Sequence, residues 1–386
     1  MSDLDLDLMS KNIFQSYLMG GFECSTHRNW QRRRIDVIAA TRHDELAEAD
    51  YTRMLEIGMK TARDGVRWHL IEREPYRYDF SSVSNQVRAA KKTGMQVIWD
   101  LFHYGYPEDL DIFSAEFPAR FAKFSEAFTQ FLLSENNQTP FFCPINEISF
   151  FSWIAGKVGA FYPYKKRRGN ELKRQLVRAT ISSIDAIRAV ALDARFVQID
   201  PAIRVSPPKH LPQSRTSAKN YHLSQFHSFD MICGRYAPEL GGAEKYLDII
   251  GLNYYSDNQW RHPSGERILH GHEDYHPLHL ILWDYFERYE RPILIAETGI
   301  ENEARPEWFR YISEEARIAF ENGVPVEGIC LYPIVNHPGW DDNRHCHNGL
   351  WDYPDKNGNR KIYIPLAEEI KLQRGDSEIL RMSAHN

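Results

Sequence analysis

Little in this sequence points to an oxidising or membrane environment. Five cysteines in 386 residues, at positions 24, 143, 233, 330 and 346, have no CxxC spacing and leave one unpaired. That pattern argues against a disulfide framework and for a reducing compartment. Three of the five lie in apolar, strand-like runs, where cysteine acts as a small hydrophobe. The first eight residues, MSDLDLDL, are acidic and have neither a basic nor an apolar signal region, so no secretory signal is expected. No apolar run is long enough to span a bilayer. Together these absences predict a cytoplasmic protein.

An excess of positive charge is also lacking. The net charge of −6 gives no reason to expect a nucleic acid or an anionic membrane as partner. Two basic runs, Gln31–Arg34 and Lys165–Arg168, read as solvated loops, with a phosphate or acidic-sugar contact as the minor alternative. No G-x-G-x-x-G turn follows the first strand, since Gly20-Gly21 does not supply one, which counts against a dinucleotide fold. No cofactor is expected. No stretch rich in Gly, Ser or Pro divides the chain. The expected organisation is therefore an acidic tail over residues 1–16 and one domain over 17–386, and nothing in the pattern specifies an oligomeric state.

Aromatic residues, in contrast, are abundant at 13%. They suit a large core, and they also suit sugar-binding clefts, where a flat ring meets a C–H-rich sugar face. The chain alternates short apolar runs with amphipathic stretches. Strands are predicted over 17–24, 61–68, 95–102, 141–145, 195–199, 246–253, 292–299 and 328–332. Helices are predicted over 43–57 (with a stripe of Leu46, Ala49, Met54 and Leu55), 82–92, 117–134, 172–192, 218–236, 277–289, 306–322 and 365–372. Pro306 is placed at a helix N1 position. Eight such alternations imply a parallel sheet closed into a single (β/α)8 TIM barrel.

In such a barrel the C-terminal strand ends carry the chemistry. Here they hold Arg63, Asp64, Arg67 and His69 (strand two), Asp100 and His103 (strand three) and Asn146-Glu147 (strand four). Strand six ends in Asn253-Tyr254-Tyr255, strand seven in Glu297, and strand eight in Tyr332, with Asn336 and His337 beyond. Two carboxylates on strands half a barrel apart can face each other across the axis. Cleaving an acetal needs such a pair, one acid for the leaving oxygen and one carboxylate for the oxocarbenium-like carbon. Asp100 and Asp200 read more simply as loop caps. His337, His345 and His347 lack the spacing of a structural zinc site, so no metal is expected.

Five motifs in order resemble the clan A glycoside hydrolases, and most closely a divergent, shortened relative of glycoside hydrolase family 1. They are Glu56–Arg63, Phe102-His103-Tyr-Gly-Tyr-Pro107, Pro144-Ile-Asn-Glu147, Gly251-Leu-Asn-Tyr-Tyr255 and Ile295-Ala-Glu-Thr-Gly299. The resemblance implies a retaining β-glycosidase in which Glu147 is the acid/base and Glu297 the nucleophile, with carboxyl groups about 5–5.5 Å apart. It further implies that Arg63 and Tyr255 support the nucleophile, and that His103 and Asn146 bind the sugar. A carbohydrate or glycoside is then the expected partner. Three positions depart from the family pattern. His27 stands at its strand-one Gln, Tyr332 at its strand-eight Trp, and His337-Pro-Gly-Trp340 at its Asn-Phe-Glu-Trp loop, which puts Gly339 where the sugar-clamping Glu would be. The catalytic half is kept and the sugar-reading half is rewritten, so His27, Trp340 and Asp341 are candidates to hold an altered sugar.

Overall fold

The structure is a computed structural model describing residues 12–136 and 138–383, with side chains to 375. The acidic run at the start of the chain lies outside the described residues. Eight parallel strands form a closed barrel: β1 (Leu18–Gly21), β2 (Thr61–Gly65), β3 (Gln96–Asp100), β4 (Phe141–Cys143), β5 (Arg195–Pro201), β6 (Ile249–Asn253), β7 (Ile293–Thr298) and β8 (Val326–Leu331). Neighbours in the sheet follow chain order, and β1 pairs with β8 to close it. The single (β/α)8 barrel expected from the sequence is the observed fold.

Two separate cores follow from strand alternation. Side chains pointing inward, among them Met19, Ile98, Phe141, Val197, Ile249, Leu294 and Ala296, fill the barrel interior. Those pointing outward, such as Ala62, Val97, Trp99, Ile293 and Ile295, join a larger layer under the helices. Both faces are buried, which is why the strands read as continuous apolar runs. Helix α3 (Glu116–Glu135) shows how the outer layer is built. Phe117, Phe121, Phe124 and Phe128, three or four residues apart, are all buried, and Trp68 packs 5.2 Å from both Phe121 and Phe124. Each buried ring contributes about 1.5–3 kcal/mol.

The other predicted helices are found with shifted ends: α1 (His43–Glu56), α2 (Ser81–Thr93), α4 (Gly169–Val190), α7 (Leu278–Tyr289), α8 (Arg305–Glu321) and α9 (Ile364–Ser383). Gly94, with φ +75°, ends α2 in a left-handed turn that a side chain would strain. Three expectations need correction. The helix expected over 218–236 is split into α5 (Arg215–Leu223) and α6 (His227–Ile232), joined by a 3₁₀ turn. Ala49 is exposed and the buried stripe of α1 runs through Ala47, Asp50, Tyr51 and Met54, because polar His43 and Asp50 face an internal ion pair. Strand six begins at Ile249, since residues 244–246 form a 3₁₀ turn.

Candidate active site

The site is built on the C-terminal rim around Arg63, which is fully buried. Residues 61, 63 and 65 of β2 alternate inward, opposite to Ala62, so the guanidinium reaches into the barrel mouth. Its Nε and Nη2 donate to the two oxygens of Asp100 at 3.0 and 2.7 Å. Nη1 donates to Glu297 Oε1 at 2.6 Å and to the Ala296 carbonyl at 3.2 Å, and Nη2 also reaches Asn146 Oδ1 at 2.7 Å. One cation thus fixes groups from β3, β4 and β7. Asp100 is therefore an ion-pair partner of Arg63 and His103, not the loop cap expected for it. Asp200 does cap: it accepts from the backbone and hydroxyl of Ser149 at 2.9 and 2.6 Å, just beyond Glu147. Arg67 pairs with Asp36 and Asp44 outside the site, because β2 ends at Gly65 and alternation stops there.

Glu297 reaches the mouth through a bulge. Strict alternation after Leu294 and Ala296, which point inward, would aim residue 297 at the helices. Both neighbouring strands register an extra residue in β7 at this point: Ile295 pairs with Leu252 but Glu297 with Asn253, and Ile295 pairs with Ile329 but Thr298 with Leu331. The bulge turns Glu297 inward and leaves Thr298 outward, where its hydroxyl accepts from the Trp308 indole at 2.9 Å. Tyr255 then donates to Glu297 Oε2 at 2.8 Å.

Glu147 sits in a left-handed conformation, φ 50° and ψ 61°, that a non-glycine residue adopts only under constraint. Its amide donates to the Ile199 carbonyl at 3.0 Å. The carboxyl accepts from Asn253 Nδ2 at 2.9 Å and from the Tyr104 hydroxyl. Burial, reinforced by the charge of Glu297, pushes its pKa from 4.5 to about 8 despite these two donors. Burial raises Glu297 as well, but Arg63, His103 and Tyr255 pull against it. The environments differ in one respect: a guanidinium opposes the burial of Glu297, and no cation among the described residues is paired with Glu147.

The sugar-binding positions expected from sequence fall in the same mouth. His103 Nδ1 lies 3.0 Å from Asp100 and its Nε2 lies 3.1 Å from Asn146 Nδ2. Tyr332 stacks parallel to His103 at 6.3 Å and carries Arg63 5.0 Å from its ring centroid. That place is open because residue 21 is glycine: a β-carbon there would lie 2.2 Å from the edge of the Tyr332 ring. His27 stacks on Phe161 at 3.8 Å and meets the edge of Trp340 at 5.0 Å, so residues 313 apart in sequence share one wall. Gly339 precedes Trp340 in the loop after β8, and the Asp342 carboxylate occupies the space a side chain at 339 would enter.

Two neighbours of the carboxylates were not singled out in the sequence. Tyr104 follows His103 in the strand-three motif. Glu23, in the run after β1, is a further buried carboxylate, 3.7 Å from His103 Nε2. Its signal was available, since it is an acid at the end of a strand.

Two groups gather metal-type ligands among the described residues. Cys24, Asp100 and His103 are buried together, with Asp100 already committed to Arg63. His345, His347 and Asp352 meet at the surface, where His345 Nε2 pairs with Asp352 at 2.7 Å, and Cys346 points away. All five cysteines are free. No helix among the described residues is long and apolar enough to cross a membrane. The two basic runs come together beside Trp340: Tyr164 donates to the Asn29 carbonyl at 3.0 Å and Arg32 lies over the Tyr164 ring.

No family model matches the sequence, and neither does any curated protein. Solved structures do match. The family 1 β-glucosidase from Thermotoga maritima superposes with a TM-score of 0.76 at 15% identity, covering 95% of this chain and 99% of that one. The same organism's β-glucosidase in complex with deoxynojirimycin gives 0.74 at 16% identity, with the same coverage. The virulence factor SghA, in complex with its substrate analog salicin, gives 0.77 at 18% identity, covering 97% and 99%. Along nearly its whole length the chain carries the barrel fold of the family 1 β-glucosidases, at the low identity of a divergent relative.

Proposed function

We propose that this protein is a retaining β-glycosidase in which Glu147 is the general acid/base and Glu297 the nucleophile. The observation that carries the reading is the contrast between the two carboxyl groups at one barrel mouth. Burial and the charge of Glu297 push the Glu147 pKa up to about 8, which favours its acid form at neutral pH. Glu297 is held by a guanidinium and a phenol, both of which stabilise its charged form. Environments that separate two carboxyl pKa values assign the acid and the nucleophile. The sugar ligands bound by the structural relatives favour a glycoside substrate as well.

In the first step Glu147 protonates the glycosidic oxygen while Glu297 attacks the anomeric carbon. The carbon–oxygen bond breaks, the aglycone leaves with the proton, and a glycosyl ester of Glu297 forms. In the second step water gives a proton to the Glu147 carboxylate, its oxygen attacks the same carbon, and Glu297 is released. Two displacements restore the β configuration. Asn146, oriented by Arg63, offers its Nδ2 to the sugar 2-hydroxyl.

A transglycosidase would use the same pair, with a sugar or alcohol replacing water in the second step, and the segment over 155–169, whose first residues are helical, would select that acceptor. A carbohydrate-binding barrel without catalysis is the third reading. It is disfavoured because binding alone needs neither a protonated acid nor a fixed carboxylate opposite it. The changes at His27, Tyr332 and Gly339 favour a terminal sugar other than an ordinary glucoside, or one held by His27, Trp340 and Asp341. Ordinary rates on aryl β-glucosides, undiminished in His27→Ala, would contradict that part.

The test is a panel of activated aryl β-glycosides followed by NMR, with Glu297→Gly as control. Hydrolysis should release the β anomer first, and an added alcohol should be glycosylated only if transfer competes. An α anomer as first product, or undiminished turnover by Glu297→Gly, would sink the assignment.

A further inference from the structure

The two-step chemistry leaves one buried carboxylate without a task. Glu23 is 9% exposed, and Ser25 donates to its Oε1 twice, from the backbone amide at 2.8 Å and from the hydroxyl. Both bonds go to the same oxygen, so the carboxylate is pinned in orientation, while no described residue donates to Oε2. The nearest cation is His103, whose Nε2 lies 3.7 Å from Oε1, beyond hydrogen-bond reach. Arg63 is already committed to Asp100, Glu297 and Asn146. The free Oε2 keeps contact with solvent at the barrel mouth, where a ligand hydroxyl or ammonium can take the place of water.

A second, independent observation points the same way. His27 is 1% exposed, yet neither of its ring nitrogens has a partner. Burial, then the neighbouring His103 and Arg34, pushes its pKa down to about 3, so the ring is neutral and offers one donor and one acceptor. The Trp340 indole N–H and the Asn253 amide oxygen are also buried without partners. The side chains around them are aromatic: Phe161 stacks on His27, and Tyr104 meets both His27 and Trp340 edge-on. Unpaired donors and acceptors set in an apolar wall match a small polyhydroxylated molecule.

We infer that Glu23 anchors the terminal sugar of the substrate by accepting a hydrogen bond from one of its hydroxyl or ammonium groups, while His27 and Trp340 pair with neighbouring hydroxyls. This rests on the glycosidase reading and names its specificity. The fixed negative charge admits a neutral or amino sugar and repels one that carries a carboxylate or phosphate.

The experiment compares wild type, Glu23→Gln and Glu23→Ala on nitrophenyl β-glycosides of glucose, galactose, glucosamine and glucuronic acid, with single-deoxy analogues of the best substrate. For the preferred sugar, kcat/KM should fall at least about a hundredfold in Glu23→Gln. One deoxy analogue should be poor with wild type and lose nothing further in Glu23→Gln, which identifies the hydroxyl that Glu23 meets. The glucuronide-to-glucoside ratio should rise in the variant. A larger loss on the glucosaminide than on the glucoside would mark an ammonium contact, and the reverse a hydroxyl contact. An equal loss on every analogue, or a change within about threefold across the panel, would overturn the inference; thermal melting of each variant checks folding. If wild type cleaves none of these glycosides, the glycosidase reading falls and binding decides the inference. Ligand-observed NMR contacts to the same compounds should then be present with wild type and lost in Glu23→Gln, and absent or unchanged contacts would overturn it.

Discussion

Arg63 Nη1 lies 2.6 Å from Glu297 Oε1, and the rest of the same guanidinium is bound to Asp100 and Asn146. A single buried cation therefore sets the charge state of one catalytic candidate and the orientation of a sugar-binding one. Arg63→Lys keeps the charge but loses the planar fork. It should lower kcat on aryl glycosides on the order of a hundredfold. Arg63→Met should also destabilise the fold by about 3–5 kcal/mol, because Asp100 is left buried without its partner. Denaturant melts of the two variants separate these effects.

The pH dependence follows from Glu147. Its folded pKa of about 8 lies above the ordinary 4.5, so kcat/KM for a poor leaving group should fall as pH rises through about 8. Tyr104 donates to the charged form of Glu147 and lowers its pKa, so Tyr104→Phe should move the alkaline limb upward. Glu297→Gln, which removes a neighbouring negative charge, should let the Glu147 pKa fall, visible by carboxyl NMR titration. For stability the sign is the reverse of a paired carboxylate. Between 4.5 and about 8 the folded state binds more protons than the unfolded one, so this group's contribution to stability falls as pH rises. Glu147→Gln should be more stable than wild type at pH 8, by about 0.5–2 kcal/mol. An alkaline limb unmoved in Tyr104→Phe would contradict the assignment.

How much of this could be read from the chain depended on whether local pattern or register placed each residue. Arg63, His103, Asn146 and Tyr255 lie in short motifs at the ends of apolar runs, and two-residue alternation or the motif itself located them. Glu297 was found by its motif, but its inward direction depends on a bulge in β7, which pairing with β6 and β8 defines and no local pattern reveals. The split between α5 and α6 was hidden for a similar reason, since no Gly or Pro marks the break. Asp100 looked like a cap because its partner, Arg63, comes from another strand 37 residues away. Neither run of sequence alone brings His27 to Trp340, whose contact joins positions near opposite ends of the chain.

Behind the site, His43 is buried between Asp50 and Asp64, 2.9 Å from each. Burial works against its charge, but the two carboxylates outweigh it and raise the pKa from 6.5 to about 9. A histidine whose folded pKa is raised contributes stability that is fully present below 6.5 and is lost as pH rises through about 9. His43→Gln should therefore destabilise the protein most at mildly acidic pH, by about 3–5 kcal/mol, and the gap should narrow in alkaline solution. Urea denaturation at pH 6 and pH 9.5 measures both. A gap independent of pH would show that His43 is neutral.

Asp200 anchors the turn that follows Glu147 through Ser149, and the oxygen that accepts from the Ser149 hydroxyl also accepts from Ser228. Asp200→Ala removes those acceptors and leaves Lys173, which donates to Ser149 at 3.0 Å, without a nearby carboxylate. Stability should fall by about 1–3 kcal/mol. Loss of kcat should be larger for glycosides with poor leaving groups than for activated ones, because the change reaches the chemistry only through Glu147. Equal losses on both would point to a general loosening of the barrel.

Azide rescue of the two carboxylate variants tests the division of labour between Glu147 and Glu297 most directly. With an activated aryl β-glycoside, azide should enter the space vacated in Glu297→Gly and give the α-glycosyl azide. In Glu147→Gly the glycosyl ester still forms, and azide should displace Glu297 to give the β-glycosyl azide. NMR of the two products reads the result. Opposite anomers in that order are the prediction; the same anomer from both variants, or the reverse order, would contradict it.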